Sequence, residues 1–299
     1  MNLKEIIIVS NQPIADVVEV ISKRFSCRTF QPEPISIEKR SALNDFINSV
    51  SPGPFGSKPA FYLAAASTED SHSLKELGTY GFIKDPTGFI IGTIDNDKNC
   101  LEDYGYLMEK IILFATSIDI GTCWLGGSFT RSSFARKINC ENGENIPAVT
   151  AIGEIIDQQQ ARNGLIRRQV GADKRLDWQN LFFNENFSRS LGKDEAGKWA
   201  LPLEMVRISP SASNKQPWRI LRKEQLFHFF LQRTKGYREN SLTRFLGVAD
   251  MQKIDMGIAM CHFELTANEM KLPGSWVLDD PQLNLIDTLM EYCVSWKIN

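Results

Sequence analysis

The longest amphipathic pattern in the chain lies between Asp103 and Trp124. Apolar side chains recur there at helical spacing, at Tyr104, Leu107, Met108, Ile111, Ala115 and Ile118. The pattern predicts a core helix over 103–120, followed by a turn and a strand. An apolar run upstream, Gly-Phe-Ile-Ile-Gly-Thr-Ile at 88–94, predicts another strand.

The same pattern occurs a second time, between Asp255 and Trp276. The two segments have equal length and agree, at one constant offset, in the pairs Asp103/Asp255, Gly105/Gly257, Met108/Met260, Leu113/Leu265, Ala115/Ala267 and Trp124/Trp276. Helical periodicity does not require the terminal Trp, so we infer an internal duplication rather than chance likeness of two amphipathic helices. A second core helix is predicted over 255–271.

Two loops support the duplication. The stretch SPGPFGSKPAFYL at 51–63 aligns with SPSASNKQPWRIL at 209–221, and both keep Ser-Pro at the start and Leu at the end. The offset differs by a few residues from that of the helices, which we attribute to a net loss in one surface loop. The sequence therefore predicts two related units, 14–180 and 181–299. Each would run helix, loop, strand, helix, turn, strand, in an α+β fold packed through the long helices.

Composition narrows the class of protein. The chain has 299 residues, 42% hydrophobic and 23% charged, which suits one large globular domain or two smaller ones. Its net charge of −2 and the lack of a long basic run argue against nucleic acid or a membrane surface as partners. The apolar run Ile6–Val9 is too short for a signal sequence or a span. Six scattered Cys without a CxxC pair, with three His, predict no metal site and a cytoplasmic protein with reduced thiols.

Two polar segments are candidates for ligand binding. The loop at 209–218 places hydroxyl and amide side chains beside two prolines and Trp218, which suits a flat polar ligand. Upstream, Lys23, Arg24, Ser26 and Arg28 crowd into a short segment, and such hydroxyl and guanidinium groups suit an oxyanion. A solvated basic turn would give the same pattern, so the residues alone leave both interpretations open. Walker, GxGxxG and GxSxG signatures do not occur.

Taken in order, these motifs resemble the FMN-dependent nitroreductase family. They are K-R-x-S-x-R-x-F from residue 23, G-T-C-W-L-G-G from 121, a basic pair at 174–175 before L-x-x-x-x-F, and P-S-x-x-N-x-Q-P-W from 210. Ordinary members are homodimers of one unit, with two FMN sites at the interface. This chain resembles an internally duplicated branch, in which one polypeptide mimics that dimer. The resemblance implies a nitroreductase-like three-layer fold with two degenerate tandem repeats.

The resemblance also implies a set of cofactor-binding residues. Arg24 and Ser26 would bind the phosphate, and Arg28 would lie near the N1–C2=O edge of the flavin. Further implied positions are Thr122, Cys123, Trp124, Leu125, Gly126 and Gly127 in the turn after the core helix, Lys174 and Arg175 as late phosphate ligands, Pro210, Ser211, Ser213 and Asn214 in the second-unit loop, and 80–84 beside the ring. Cys123 is interpreted as an apolar filler, and His228 and His262 as structural.

The implied activity is transfer of hydride from NAD(P)H through flavin to a nitroaromatic, quinone or similar electron-poor acceptor. Flavin N5 carries this chemistry, so no catalytic side chain and no metal are assigned. One alternative is a flavin-binding sensor or storage protein without significant turnover. Another is a different reaction on the same scaffold, such as flavin reduction, dehalogenation or flavin fragmentation.

Each repeat has kept a different half of the implied site. In the first loop, Gly56 stands opposite Asn214. In the second unit, the segment ENFSRS aligns with the basic segment, and Glu185 and Asn186 stand opposite Lys23 and Arg24. A carboxylate there would repel a phosphate. We therefore expect one FMN per chain, and a monomer, since no second chain is needed to complete the site.

Overall fold

The computed structural model describes residues 14–50, 52–65, 74, 77, 79, 81–95, 99–140, 145–156, 174–237, 249–283 and 287–299. Ser51 of the first loop and Tyr80 lie outside these ranges. The chain divides into two compact units, Met1–Arg168 and Gln169–Asn299. The sequence predicted the boundary at 180/181, whereas the compact units meet at 168/169. Lys174 and Arg175 therefore belong to the second unit and not to the first.

The first unit contains a four-stranded antiparallel sheet. Its strands are β1 (Ala60–Ala65), β2 (Gly88–Thr93), β3 (Ile120–Leu125) and β4 (Val149–Glu154), in the spatial order β1-β2-β4-β3. Its helices are α1 (Val17–Lys23), α2 (Ile37–Ser49), the long α3 (Cys100–Ser117) between β2 and β3, and α4 (Arg131–Lys137) after β3.

The second unit contains a six-stranded sheet. Its strands are β5 (Phe182–Asn184), β6 (Asn186–Ser190), β7 (Trp218–Lys223), β8 (Leu226–Gln232), β9 (Gly274–Val277) and β10 (Met290–Ile298), in the order β6-β5-β7-β8-β10-β9. The helices in its described part are α5 (Lys193–Ala196), α6 (Ala200–Ile208) and the long α7 (Met251–Glu269). Strand β5 pairs with β7 in parallel, and the other pairs are antiparallel.

The two sheets share one topology. The order β1-β2-β4-β3 in the first unit corresponds to β7-β8-β10-β9 in the second, and every neighbouring pair in both series is antiparallel. Apart from α4 in the first unit and the elements before α6 in the second, each unit runs helix, loop, strand, strand, long helix, strand, strand. The duplication and the α+β class are therefore confirmed. The predicted order gave one strand on each side of the long helix, where each unit has two. The strand predicted separately from the apolar run at 88–94 is β2.

The difference in offset between the repeats does not come from a single loop, so that part of the prediction is wrong. Residues 66–87 connect β1 to β2, whereas only 224–225 connect β7 to β8. In the opposite sense, 94–99 lead into α3 and 233–250 lead into α7. The small net offset thus conceals two larger length changes of opposite sign.

Both long helices are core elements, as predicted, but each begins and ends a few residues earlier than expected. Met108 in α3 and Met260 in α7 are fully buried. Helix α3 ends before Asp119 and α7 before Lys271, and both of these residues have a left-handed backbone, with φ 60° and 54°. That conformation cannot continue a right-handed helix, and the two residues occupy equivalent positions in the repeat.

The predicted turn at 122–127 is wrong for its first four residues. Thr122–Leu125 belong to β3, with Trp124 directly opposite Thr150 of β4. The turn lies at 118–119, where the left-handed Asp119 redirects the chain into the strand. Gly126 and Gly127 are the first residues beyond the strand.

Candidate functional site

In the first unit, the basic segment runs alongside β3. Ser26 forms an isolated parallel bridge with Thr122, and the Cys27 amide donates to the Thr122 carbonyl at 2.8 Å. A second bridge joins Thr29 to Lys84. The structure therefore brings together two groups of predicted site residues, the basic segment and the strand after the long helix, although they lie almost 100 residues apart in sequence.

Arg24 is buried and paired with an acidic residue that no sequence motif had singled out. Its Nε lies 3.7 Å from Oε1 of Glu109, and the two side chains are 6% and 0% exposed. Glu109 also accepts the indole N–H of Trp124 at 2.7 Å. A carboxylate is rarely fully buried without such partners, so an acid among the apolar residues of α3 was the signal that could have revealed it.

Arg28 has a polar atom that the described residues leave unsatisfied. Its Nη1 is buried and has no hydrogen-bond partner in that part of the chain. The backbone around it is ordered by the Lys84 amide, which donates to the Arg28 carbonyl at 2.8 Å. Buried guanidinium nitrogens normally find an acceptor, so this arrangement fits an anionic or carbonyl oxygen supplied by a ligand.

The side chains of β3 point mostly into the protein. Thr122, Cys123 and Leu125 are 2%, 3% and 3% exposed. Cys123 belongs to an apolar cluster that includes Phe25 and Phe134, which confirms its interpretation as a buried filler. Contacts of these three residues with a ligand would therefore be made by the backbone.

The 209–218 loop of the second unit has an unusual backbone. Ser213, Asn214 and Gln216 are all left-handed, with φ 49°, 54° and 49°. Left-handed non-glycine residues cost on the order of 1–2 kcal/mol each, and such conformations often cluster at binding sites. Within the loop, Ser211 Oγ accepts the Gln216 amide at 2.9 Å.

The predicted basic pair is bound to this loop. Arg175 Nη1 donates to Asn214 Oδ1 at 3.2 Å and Nη2 donates to the Ile208 carbonyl at 3.0 Å. In return, Asn214 Nδ2 donates to the Lys174 carbonyl at 2.9 Å. The Leu176 amide donates to Gln216 Oε1 at 2.8 Å. Four predicted site residues of the second unit, Lys174, Arg175, Ser211 and Asn214, thus form one hydrogen-bonded assembly.

Each loop is also attached to the long helix of its own unit through an aspartate. Asp255 Oδ1 accepts the Ala212 amide at 2.9 Å. Asp103 accepts the Phe55 and Ser57 amides at 2.8 Å and the Ser57 hydroxyl. Both aspartates are buried, 0% exposed for Asp103 and 1% for Asp255. The sequence showed this pair only as a match in the repeat, without a role.

The second unit lacks a structural equivalent of the basic segment at the aligned positions. Glu185, with φ 61°, lies in the turn between β5 and β6, and Asn186–Ser190 form β6 itself. This segment is therefore an edge hairpin rather than a chain running beside the strand after the long helix.

The protein has a duplicated α+β fold, with a basic segment beside β3 and a polar loop held to a long helix. The family described as "Putative TM nitroreductase" matches residues 16–267, and the chain belongs to this nitroreductase family. It is accordingly an oxidoreductase by class. A comparison with curated proteins gave no match.

The chain is similar to several solved structures. A structure described as a putative nitroreductase from Thermotoga maritima MSB8 matches with a TM-score of 0.60 and 20% identity, over 97% of this chain and 96% of that one. A nitroreductase family protein from Clostridium difficile 630 has a TM-score of 0.39 and 16% identity, over 50% and 95%. A nitroreductase with bound FMN from Desulfitobacterium hafniense DCB-2 has a TM-score of 0.38 and 20% identity, over 47% and 89%.

Among the helices that the structure describes, none combines the length and apolar character needed to span a membrane.

Proposed function

We propose that the protein is an FMN-dependent oxidoreductase that passes hydride from NAD(P)H to a nitroaromatic, a quinone or a similar electron-poor acceptor. Family membership supports the oxidoreductase class. The observation that carries the flavin proposal is Arg28, whose buried Nη1 has no acceptor among the described residues. When bound, FMN would supply the redox chemistry.

The first unit would hold the phosphate and one edge of the ring. Arg24 and Ser26 would bind phosphate oxygens through charge-assisted and hydroxyl hydrogen bonds. Arg28 would place its cation at the N1–C2=O edge and favour the negative charge that reduction brings there. Because Glu109 already pairs with Arg24 at 3.7 Å, it would fix the direction of that guanidinium. Thr122, Cys123 and Leu125 would contribute backbone groups.

The second unit would supply the other binding residues through its 209–218 loop. Pro210, Ser211, Ser213 and Asn214 are the proposed positions, with Lys174 and Arg175 attached to them by hydrogen bonds. Since Asn214 uses both ends of its amide on residues 174 and 175, we assign it mainly to shaping the loop. One chain would complete one site, and we accordingly propose a monomeric enzyme. We also propose that it is cytoplasmic, with reduced thiols.

The test begins with the colour and the absorption spectrum of the purified protein. Heat-released FMN, quantified by fluorescence against protein concentration, should approach one per chain, and light scattering should give the mass of a monomer. NADH and NADPH oxidation would then be followed with a nitroarene and with a quinone. Apoprotein that takes up no FMN would refute the proposal. A ratio near two would refute the single site, and binding without turnover would favour a sensor or storage protein.

A further inference from the structure

Among the described residues, Asp255 hydrogen-bonds the 209–218 loop to α7. Asp255 lies in the second turn of α7 and is 1% exposed. Its Oδ1 accepts the Ala212 amide at 2.9 Å, at the start of the short 3₁₀ turn Ala212–Asn214. That bond fixes the loop directly before Ser213 and Asn214, where the backbone becomes left-handed.

A loop with this backbone requires an external restraint. Three left-handed non-glycine residues at 213, 214 and 216 persist only when the surroundings over-determine them. The 174–176 segment holds the far side of the loop through Asn214 and Gln216. Asp255 holds the near side, where its carboxyl accepts the Ala212 amide.

The environment of Asp255 favours its neutral acid. Burial raises the pKa of its carboxyl well above the ordinary value, the Ala212 amide opposes this in part, and nearby Asp250 raises the pKa further. Asp250 forms an ion pair with Arg233, whose Nη1 lies 2.7 Å from Asp250 Oδ2. Oδ2 of Asp255 is buried and has no hydrogen-bond partner in the described part of the chain. A protonated carboxyl tolerates such a site far better than a carboxylate does.

We propose that Asp255 is a positioning residue for the flavin, which holds the 209–218 loop in the conformation that receives the cofactor. Asp103 is its counterpart, and it holds the loop at 52–59, whose ligand-binding side chains have been lost. The proposal rests on the proposed function for the identity of the ligand. It assigns Asp255 no contact with the reacting atoms.

The test compares Asp255→Ala, Asp255→Asn and the matched control Asp103→Ala in the full chain. Apoprotein would be titrated with FMN, and backbone amide hydrogen exchange would be measured for peptides covering 209–218, 52–59 and α7. Asp255→Ala should weaken FMN binding about tenfold or more, in line with loss of a buried hydrogen bond. It should also speed exchange in 209–218 while the centre of α7 stays protected.

The two other variants should behave differently. Asn keeps an oxygen acceptor and the shape of the neutral acid, so Asp255→Asn should restore FMN affinity to within about threefold of the wild type. Asp103→Ala should speed exchange in 52–59 and leave FMN affinity within the same limit. This contrast separates a positioning role from a general loss of stability, because both aspartates are buried and both hold a loop.

Several results would overturn the inference. Asp255→Ala that exchanges faster in 209–218 but binds FMN like the wild type would make Asp255 a structural residue only. Equal losses of affinity in Asp103→Ala and Asp255→Ala would remove its special role. If Asp255→Ala does not fold, a folded Asp255→Asn with a tenfold weaker affinity would equally contradict the proposal. Wild-type apoprotein that binds no FMN would refute the proposed function instead, and the exchange measurements would still report whether Asp255 holds the loop.

Discussion

The two loops of the repeat are held by equivalent aspartates but in different ways. Pro54 occupies the position of Ala212 and has no N–H to donate, so Asp103 accepts the amides of Phe55 and Ser57 instead. One position earlier, Gly53 stands opposite Ser211. A Cβ added at Gly53 would lie 2.3 Å from Cγ of Asp103, so that carboxyl fills the space that a side chain would need.

Other features of the loops have been retained. Gly56 and Asn214 occupy equivalent positions, and both are left-handed, with φ 89° and 54°. Glycine adopts this conformation without strain, whereas Asn is tolerated there and gains an amide that binds residues 174 and 175. Both loops therefore keep the hydrogen bonds to the long helix. Of the two equivalent positions, only Asn214 in the second loop carries a polar side chain.

The Trp after each long helix shows the same mixture of retention and change. Trp124 donates to Glu109 and Trp276 donates to Glu264, both at 2.7 Å. The two glutamates differ by about one helical turn in the repeat, so the bond was kept while its acceptor moved. In the first unit the glutamate is also paired with Arg24, a predicted phosphate ligand.

The largest expected effect comes from breaking that pair. Arg24→Ala should weaken FMN binding about tenfold or more, because a charge-assisted bond to phosphate is worth roughly 1.5–3 kcal/mol. It should also lower the free energy of unfolding by about 3–5 kcal/mol, since it leaves Glu109, which is 0% exposed, as a buried charge without its cation. FMN titration and urea unfolding would measure the two effects.

The double variant Arg24→Ala/Glu109→Gln separates these contributions. Removing the buried charge should recover most of the stability, while the FMN affinity stays low because the phosphate ligand is still absent. If the double variant regains FMN affinity together with stability, Arg24 serves the fold alone and the phosphate is bound elsewhere.

Exchanging the loop residues in front of the two aspartates should have an intermediate effect. Gly53→Ser forces a side chain against the Asp103 carboxyl and should cost about 1–3 kcal/mol of unfolding free energy. The reciprocal change, Ser211→Gly, loses the bond from the Gln216 amide at 2.9 Å and should cost about 1 kcal/mol. Chemical unfolding of both variants would show the asymmetry, and equal costs would mean that the Asp103 carboxyl does not fill the space in front of Gly53.

The sequence predicts the structure best where a local pattern repeats. The helical stripe, the Asp103/Asp255 match and the Trp124/Trp276 match indicated the duplication and both long helices. The left-handed residue that ends each helix, Asp119 or Lys271, has no distinctive sequence signal. The turn was therefore placed too late, and the strand expected after it begins earlier than predicted, at Ile120. The predicted match of ENFSRS with the basic segment rested on two letters and has no parallel in secondary structure.

Contacts between distant segments were not predictable from the sequence. The docking of Arg175 on Asn214 joins residues 39 positions apart, and only the folded chain shows that both amide ends of Asn214 are occupied. Glu109 was visible as an acid within an apolar helix, but Arg24 and Trp124, which contact it, come from either side of it in the sequence. Burial and partner identity depend on the tertiary fold, which one sequence does not encode as a local pattern.

The smallest predicted effect is a pH dependence of stability that arises in the second unit, from a buried histidine. His228 of β8 is 2% exposed, and its Nδ1 lies 2.7 Å from Ser295 Oγ. Burial lowers the pKa of His228 below its ordinary value of 6.5, and the nearby Asp279 opposes this only in part. The unfolded chain therefore takes up the proton more readily than the folded one. The stabilising contribution of neutral His228 is complete above about pH 6.5 and is lost as the pH falls through its folded-state pKa.

Urea unfolding between pH 7.5 and 5 should show that the free energy of unfolding falls with pH, and His228→Gln should flatten this dependence. Hydrogen exchange at the lower pH should increase first in β8 and β10, before the first-unit sheet. A slope unchanged in His228→Gln would assign the pH dependence to other groups.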